Sequence, residues 1–178
     1  MSNRDPFHLD MLEQRAELAA DLERAGMIRG SFIFADGAES PTYFDKYLVL
    51  SRPGMLVRAA KLMAEELPEQ VDRLASTSAA TAALASQMAV ATGVQLLLPR
   101  EGDGLRFGGE IYSGAQVVLV EDVISTGHRA LTSVHALNQA GGVVSHVLCM
   151  LDRERGGAHR LEAAGVVVRP LFRERELG

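Results

Sequence analysis

Residues 117–129 read VVLVEDVISTGHR. Val117, Val118, Leu119 and Val120 form a short apolar run that reads as a strand buried on both faces. Two carboxylates, Glu121 and Asp122, come next, then the turn-and-cap run Ser125-Thr126-Gly127, then a helical pattern over residues 129–140. In a parallel sheet, ligands sit beyond the carboxyl ends of the strands, where the two carboxylates fall. Carboxylates there can accept hydrogen bonds from sugar hydroxyls or hold a divalent metal through water. The Ser-Thr-Gly run sets hydroxyls and backbone N–H groups at a helix N-terminus, whose positive dipole end favours a phosphate. Sugar hydroxyls upstream and a phosphate downstream describe a ribose 5-phosphate. The residues alone also permit a plain crossover, with Glu121 and Asp122 solvated and Ser125 or Thr126 capping the helix.

Upstream, residues 11–25 carry Leu12, Ala16, Ala19, Ala20 and Leu22 among charged residues and predict an amphipathic helix ending near Gly26, packed on the sheet or on a second subunit. Residues 30–49 alternate around Asp36-Gly37 and predict a β-hairpin or two short antiparallel strands. Ser51 is the expected cap of a helix with Pro53 in its first turn and Leu56, Ala59, Ala60, Met63, Ala64 and Leu67 at helical spacing. A strand over 71–75, a helix over 78–92 and a strand over 94–98 follow, then a glycine-rich, charged, mobile loop over 99–114. Beyond the central stretch, Gly141-Gly142 turns into a buried strand over 143–150, and a short helix and an edge strand over 166–171 close the chain. Such strand-helix alternation predicts an α/β fold with a central, mostly parallel sheet flanked by helices.

A chain of 178 residues, 47% hydrophobic and 23% charged, suits one soluble domain with a sizeable core. No apolar run approaches the ~18 residues that span a bilayer, and the N-terminal residues lack the basic-then-apolar order of a signal peptide, so neither a membrane nor export is expected. The formal charge of −5, with no basic run and no Trp, argues against nucleic acid as a partner. The single cysteine, Cys149, lies in an apolar run, which excludes a disulfide scaffold and fits a buried, inert thiol in a reducing cytoplasm.

Residues 117–129 closely resemble the phosphoribosyl pyrophosphate (PRPP) signature of the type I phosphoribosyltransferases, two acidic residues followed by a Thr/Ser-rich turn and Gly. The resemblance implies that Glu121 and Asp122 contact the ribose hydroxyls and that Ser125, Thr126, Gly127, His128 and Arg129 wrap the 5-phosphate, with Val123 and Ile124 beside them. Gly-x-Phe-x-Phe-x-x-Gly-x-x-Ser-Pro-x-Tyr-Phe-Asp-Lys, from Gly30 to Lys46, with Ser51-Arg52-Pro53 after it, is similar to the N-terminal hood of the orotate phosphoribosyltransferases. That likeness makes Tyr43 and Phe44 candidates for stacking on orotate, with Ser125 beside the base, and Lys46 a candidate cation near orotate or diphosphate. In residue terms alone, Tyr43 and Phe44 also suit hairpin packing, and Lys46 a solvated strand.

Arg100, Glu101, Leu105 and Arg106 follow the mobile-loop pattern of one subgroup of that family. The resemblance makes Arg100 a catalytic candidate beside Glu121 and Asp122, and Arg100 and Arg106 the cations that meet the departing diphosphate; arginines stabilise charge there but are poor proton donors. Asp152-Arg153 also matches the family, in which the arginine reaches the orotate carboxylate; a bidentate guanidinium suits a planar carboxylate. Arg153 paired to Asp152 or Glu154 on the surface is the other possibility its residues allow.

Taken together, the resemblance implies a type I phosphoribosyltransferase fold in one domain over residues 1–178, with a hood over about 1–50 and a core over about 51–178. It further implies a homodimer whose mobile loop serves the neighbouring active site, and Mg²⁺ as cofactor with no protein-built metal cage. The reaction implied is orotate plus PRPP giving orotidine 5′-monophosphate and diphosphate. The chain departs from the family at Ala35, where many members carry a basic residue, at residues 76–81, which hold no glycine, and in the loop, which holds no lysine. These departures support one alternative, a PRPP- or nucleotide-binding protein without catalysis; a phosphoribosyltransferase for another base is a further one, since the hood and Arg153 are the only features that read the base.

Overall fold

The structure, a computed structural model, describes residues 10–33, 37, 39–100 and 105–177. Ala35 and Asp36 of the expected hairpin turn, and Glu101 of the expected loop, lie outside the described residues.

The long apolar strand at the middle of the sequence is also the middle of the sheet. β3 (Arg73–Ser76), β4 (Gln95–Arg100), β5 (Arg106–Gly108), β6 (Gln116–Ile124), β7 (Val143–Asp152) and β8 (Val167–Arg173) form one sheet in the order β5-β4-β3-β6-β7-β8. All neighbours are parallel except β5, which returns antiparallel on β4. Parallel neighbours need crossovers, and α4 (Ala79–Thr92), α5 (His128–Gln139) and α6 (Gly157–Ala163) supply them. From β3 the chain moves outward to β4, and from β6 it moves the other way, to β7 and β8. The strand order therefore reverses between β3 and β6, which opens a crevice at their carboxyl ends.

Both faces of the sheet are dry, and residues alternate between them. Leu74, Val118, Val120, Leu148 and Met150 belong to one core cluster with Leu18 and Leu22 of α1 (Met11–Gly26), Met63 of α3 (Pro53–Ala64) and Leu84 and Met88 of α4. Ala75, Leu119, Val147 and Cys149 belong to the other, with Val134 and Leu137 of α5 and Leu161 of α6. Cys149 is fully buried, and burial pushes its thiol pKa well up, as an inert core cysteine requires.

Several boundaries differ from the sequence expectation. The face that α1 buries is Gln14, Leu18, Leu22 and Gly26, while Leu12 is 79% exposed, because the helix rests on α3 through its second half. β1 (Met27–Ile33) and β2 (Glu39–Phe44) form the expected antiparallel pair, but the strand pattern stops at Phe44. Asp45 accepts hydrogen bonds from the N–H groups of Tyr47 and Leu48 and so caps a short helix, α2 (Lys46–Leu50). Ser51 ends α2 instead of capping α3; Arg52 occupies that cap position and Pro53 is the first helical residue. The expected loop over 99–114 is partly strand, since Leu98, Pro99 and Arg100 pair with Gly108, Phe107 and Arg106.

Candidate active site

β6 does not stop at its apolar run. It stays paired with β7 through Val123 and Ile124, so Glu121 and Asp122 lie within the strand, 1% and 0% exposed, and not as solvated residues at its end. Two carboxylates can be buried this way only if cations meet them. Arg129, from the first turn of α5, places Nη2 3.1 Å from Glu121 Oε2 and 3.3 Å from Asp122 Oδ1. Lys46, at the start of α2, places Nζ 2.8 Å from Asp122 Oδ2. Lys46 therefore faces the site and is no strand lysine. Burial raises the Glu121 pKa against the opposing pull of Arg129; burial likewise works against the Arg129 charge, but Glu121 outweighs it and the net shift is upward.

The turn after β3 meets the same carboxylate across the crevice. Thr77 Oγ1 donates to Glu121 Oε2 at 2.9 Å. Within this glycine-free turn, the N–H groups of Thr77 and Ser78 both donate to Thr81 Oγ1, at 2.9 and 2.8 Å, and Ser78 caps α4 by accepting from the Thr81 N–H. The hydroxyl of Thr81 thus holds two amides of the turn. Ser76 Oγ is buried with no hydrogen-bond partner among the described residues.

Residues 125–130 line a cavity of about 200 Å³ together with Glu121, Val123 and Ile124. The cap of α5 is Gly127, not Ser125 or Thr126, and no side chain bonds to the first-turn N–H groups there. Gly127 has φ +72°, and a Cβ on it would stand 2.7 Å from the Gly157 carbonyl oxygen. Gly157 in turn packs against Ser125 O, so two glycines bring the loop and the start of α6 into backbone contact. Cavity, uncapped helix start and adjacent carboxylates suit a phosphorylated sugar.

The other candidates divide. Tyr43 is 38% exposed, its ring 5.6 Å from that of Phe32. Phe44, by contrast, is 4% exposed and packs on Gly26, because alternation along β2 turns it into the core. Arg153 is buried at the end of β7, its N–H donating to Ile124 O at 2.8 Å. Among the described residues it pairs with Glu174, through Nη2–Oε1 at 2.7 Å and Nε–Oε2 at 3.0 Å. Glu174 lies 21 residues away at a 3₁₀ turn after β8, so no local spacing announces it. Arg100 and Arg106 are exposed and directly opposed across β4–β5. With β3 between β4 and β6, about 10 Å separates the two strands in the sheet, so these arginines are not gathered with the carboxylates. Among the described residues, no group of three or more His, Cys, Asp and Glu could hold a metal ion, and no helix is long and apolar enough to cross a membrane.

The fold has solved counterparts. Adenine phosphoribosyltransferase from Leishmania donovani matches 90% of this chain and 81% of its own with a TM-score of 0.73, at 17% identity, a likeness of fold alone. Orotate phosphoribosyltransferase from Mycobacterium tuberculosis, solved in complex with PRPP, is 28% identical, with a TM-score of 0.78 over 93% of this chain and 99% of that one. Orotate phosphoribosyltransferase from a Nocardioides species is 34% identical over 167 residues, 91% of this chain and 93% of the relative. No protein-family model matches the chain. The chain belongs to the orotate phosphoribosyltransferase family.

Proposed function

We propose that the chain transfers the ribose 5-phosphate of PRPP to orotate, forming orotidine 5′-monophosphate and releasing diphosphate. One observation carries the reading: a phosphate-sized cavity at the uncapped start of α5 adjoins two buried carboxylates at the strand-order reversal. The 5-phosphate binds within residues 125–129, and the ribose hydroxyls donate to Glu121 and Asp122. Arg129, whose side chain is half exposed, turns from Glu121 toward the phosphate, while Thr77 and Lys46 keep the carboxylates oriented. Transfer passes through an oxocarbenium-like state as negative charge grows on diphosphate, which guanidinium groups stabilise without donating a proton. Because Arg100 and Arg106 stand apart from Glu121 within one chain, their service to a second protomer's site in a homodimer fits their placement. Tyr43 stacks on the base and Arg153 reads its carboxylate.

Magnesium fits this donor set only as a ligand-borne ion. Glu121 and Asp122 are adjacent but already paired with cations, so substrate oxygens and water would hold Mg²⁺, with these carboxylates nearby. When bound, it neutralises diphosphate charge.

A second reading, PRPP binding without catalysis, draws support from Thr81, whose hydroxyl already takes the Thr77 and Ser78 amides. Calorimetric PRPP titration, paired with turnover assays on orotate and other bases, separates the two. Binding without turnover on any base identifies the second reading; Mg²⁺-dependent turnover of orotate establishes the first.

A further inference from the structure

We propose that Glu174 is a specificity-determining residue, an internal carboxylate that occupies Arg153 and that a carboxylate-bearing base must displace. The inference rests on the assignment of Arg153 to the base carboxylate. The two Arg153–Glu174 bonds, 2.7 and 3.0 Å, engage one nitrogen with each oxygen, the paired contact that a planar ligand carboxylate makes with a guanidinium. A second carboxylate cannot use that edge while Glu174 holds it.

Hydrogen bonds tie the pair to β2. Thr42 Oγ1 donates to Glu174 Oε1 at 3.2 Å, and Arg153 Nη2 donates to Thr42 O and lies 3.3 Å from Thr42 Oγ1. Thr42 shares the inward face of β2 with Ser40 and Phe44, opposite to the face of Tyr43, so guanidinium, carboxylate and hydroxyl meet on the inner side of that strand. The two partners differ in freedom. Arg153 has a 5% exposed side chain and a backbone tied to β6, whereas the Glu174 side chain is 24% exposed and belongs to a three-residue turn outside the sheet. Glu174 is the partner that can leave.

A base without a carboxylate gains nothing by displacing Glu174, because the buried guanidinium would lose its counter-charge. An anionic base replaces one carboxylate with another. Glu174 therefore lowers the affinity for orotate while keeping Arg153 neutralised in the absence of substrate.

The test is steady-state kinetics of Glu174→Gln against wild type, with orotate and PRPP varied separately. The expected result is an orotate KM at least threefold lower with the PRPP KM unchanged, a selectivity that a merely structural ion pair would not produce. An orotate KM that is unchanged or higher overturns the proposal. Glu174→Asp, which keeps the charge but shortens its reach, should show a smaller drop and serves if the glutamine variant does not fold. If wild type turns over no orotate, the catalytic reading fails by itself, and calorimetric orotate binding in the presence of PRPP still decides: tighter binding by the variant supports the exchange, and equal or absent binding in both proteins overturns it.

Discussion

Replacing Lys46 by Met removes the cation 2.8 Å from Asp122 Oδ2 while preserving most of its aliphatic stem. Asp122 is fully buried, and its other oxygen keeps the Val123 N–H at 2.7 Å and Arg129 at 3.3 Å. One ion pair is lost and the remaining contacts survive, so the cost is about 2 kcal/mol, above that of a surface ion pair and below that for fully orphaning a buried ion. For a chain of this length that corresponds to a melting temperature lower by ~4–8 °C. The assay is a double-mutant cycle by urea unfolding with Lys46→Met, Asp122→Asn and the pair together. The geometry predicts that the double variant is more stable than the sum of the single losses implies, by about 1 kcal/mol or more. Strict additivity would refute the claim that Lys46 supports Asp122 inside the site.

Phe44→Ala, at a core position 4% exposed, should cost about 3–5 kcal/mol in urea unfolding, whereas a ligand-facing residue would lose affinity with little loss of stability. Gly127→Ala meets both a positive φ and the Gly157 carbonyl, so PRPP affinity measured by calorimetry should fall at least tenfold; unchanged affinity would separate the loop from the phosphate. Burial acts to raise the Glu174 pKa, but the hydrogen bonds and charge of Arg153 outweigh it and hold the carboxyl below its ordinary value of 4.5. A depressed carboxyl pKa contributes stability above the unfolded pKa that is lost as pH falls through the folded one. The stability gap between wild type and Glu174→Gln should therefore be full at pH 7 and shrink below about pH 4.5; a gap that widens on acidification would contradict the pair.

Local chemistry made the frame readable. Valine and leucine runs flanked by helical periodicity specify buried parallel strands, and the order strand, acids, Ser-Thr-Gly, helix already located the cavity at the start of α5. What escaped depends on distance along the chain. Glu174 finds Arg153 only because β7 and β8 are neighbours in the sheet, and Thr77 reaches Glu121 only because β3 adjoins β6. The sequence leaves Phe44 open between ligand and core, because alternation along a strand gives the two faces but not which one is covered; it is 4% exposed. The burial of Glu121 and Asp122 could not be anticipated without knowing that Lys46 and Arg129 converge on them.

The decisive measurement is orotate consumption by the purified chain with PRPP, followed by ultraviolet absorbance with and without Mg²⁺ and repeated for Asp122→Asn. Wild type should convert orotate to orotidine 5′-monophosphate in the presence of PRPP, and the variant should do so at least 100-fold more slowly, equivalent to about 2.7 kcal/mol of transition-state stabilisation. Absence of turnover despite PRPP binding, or a variant as fast as wild type, would contradict the proposed reaction at this site.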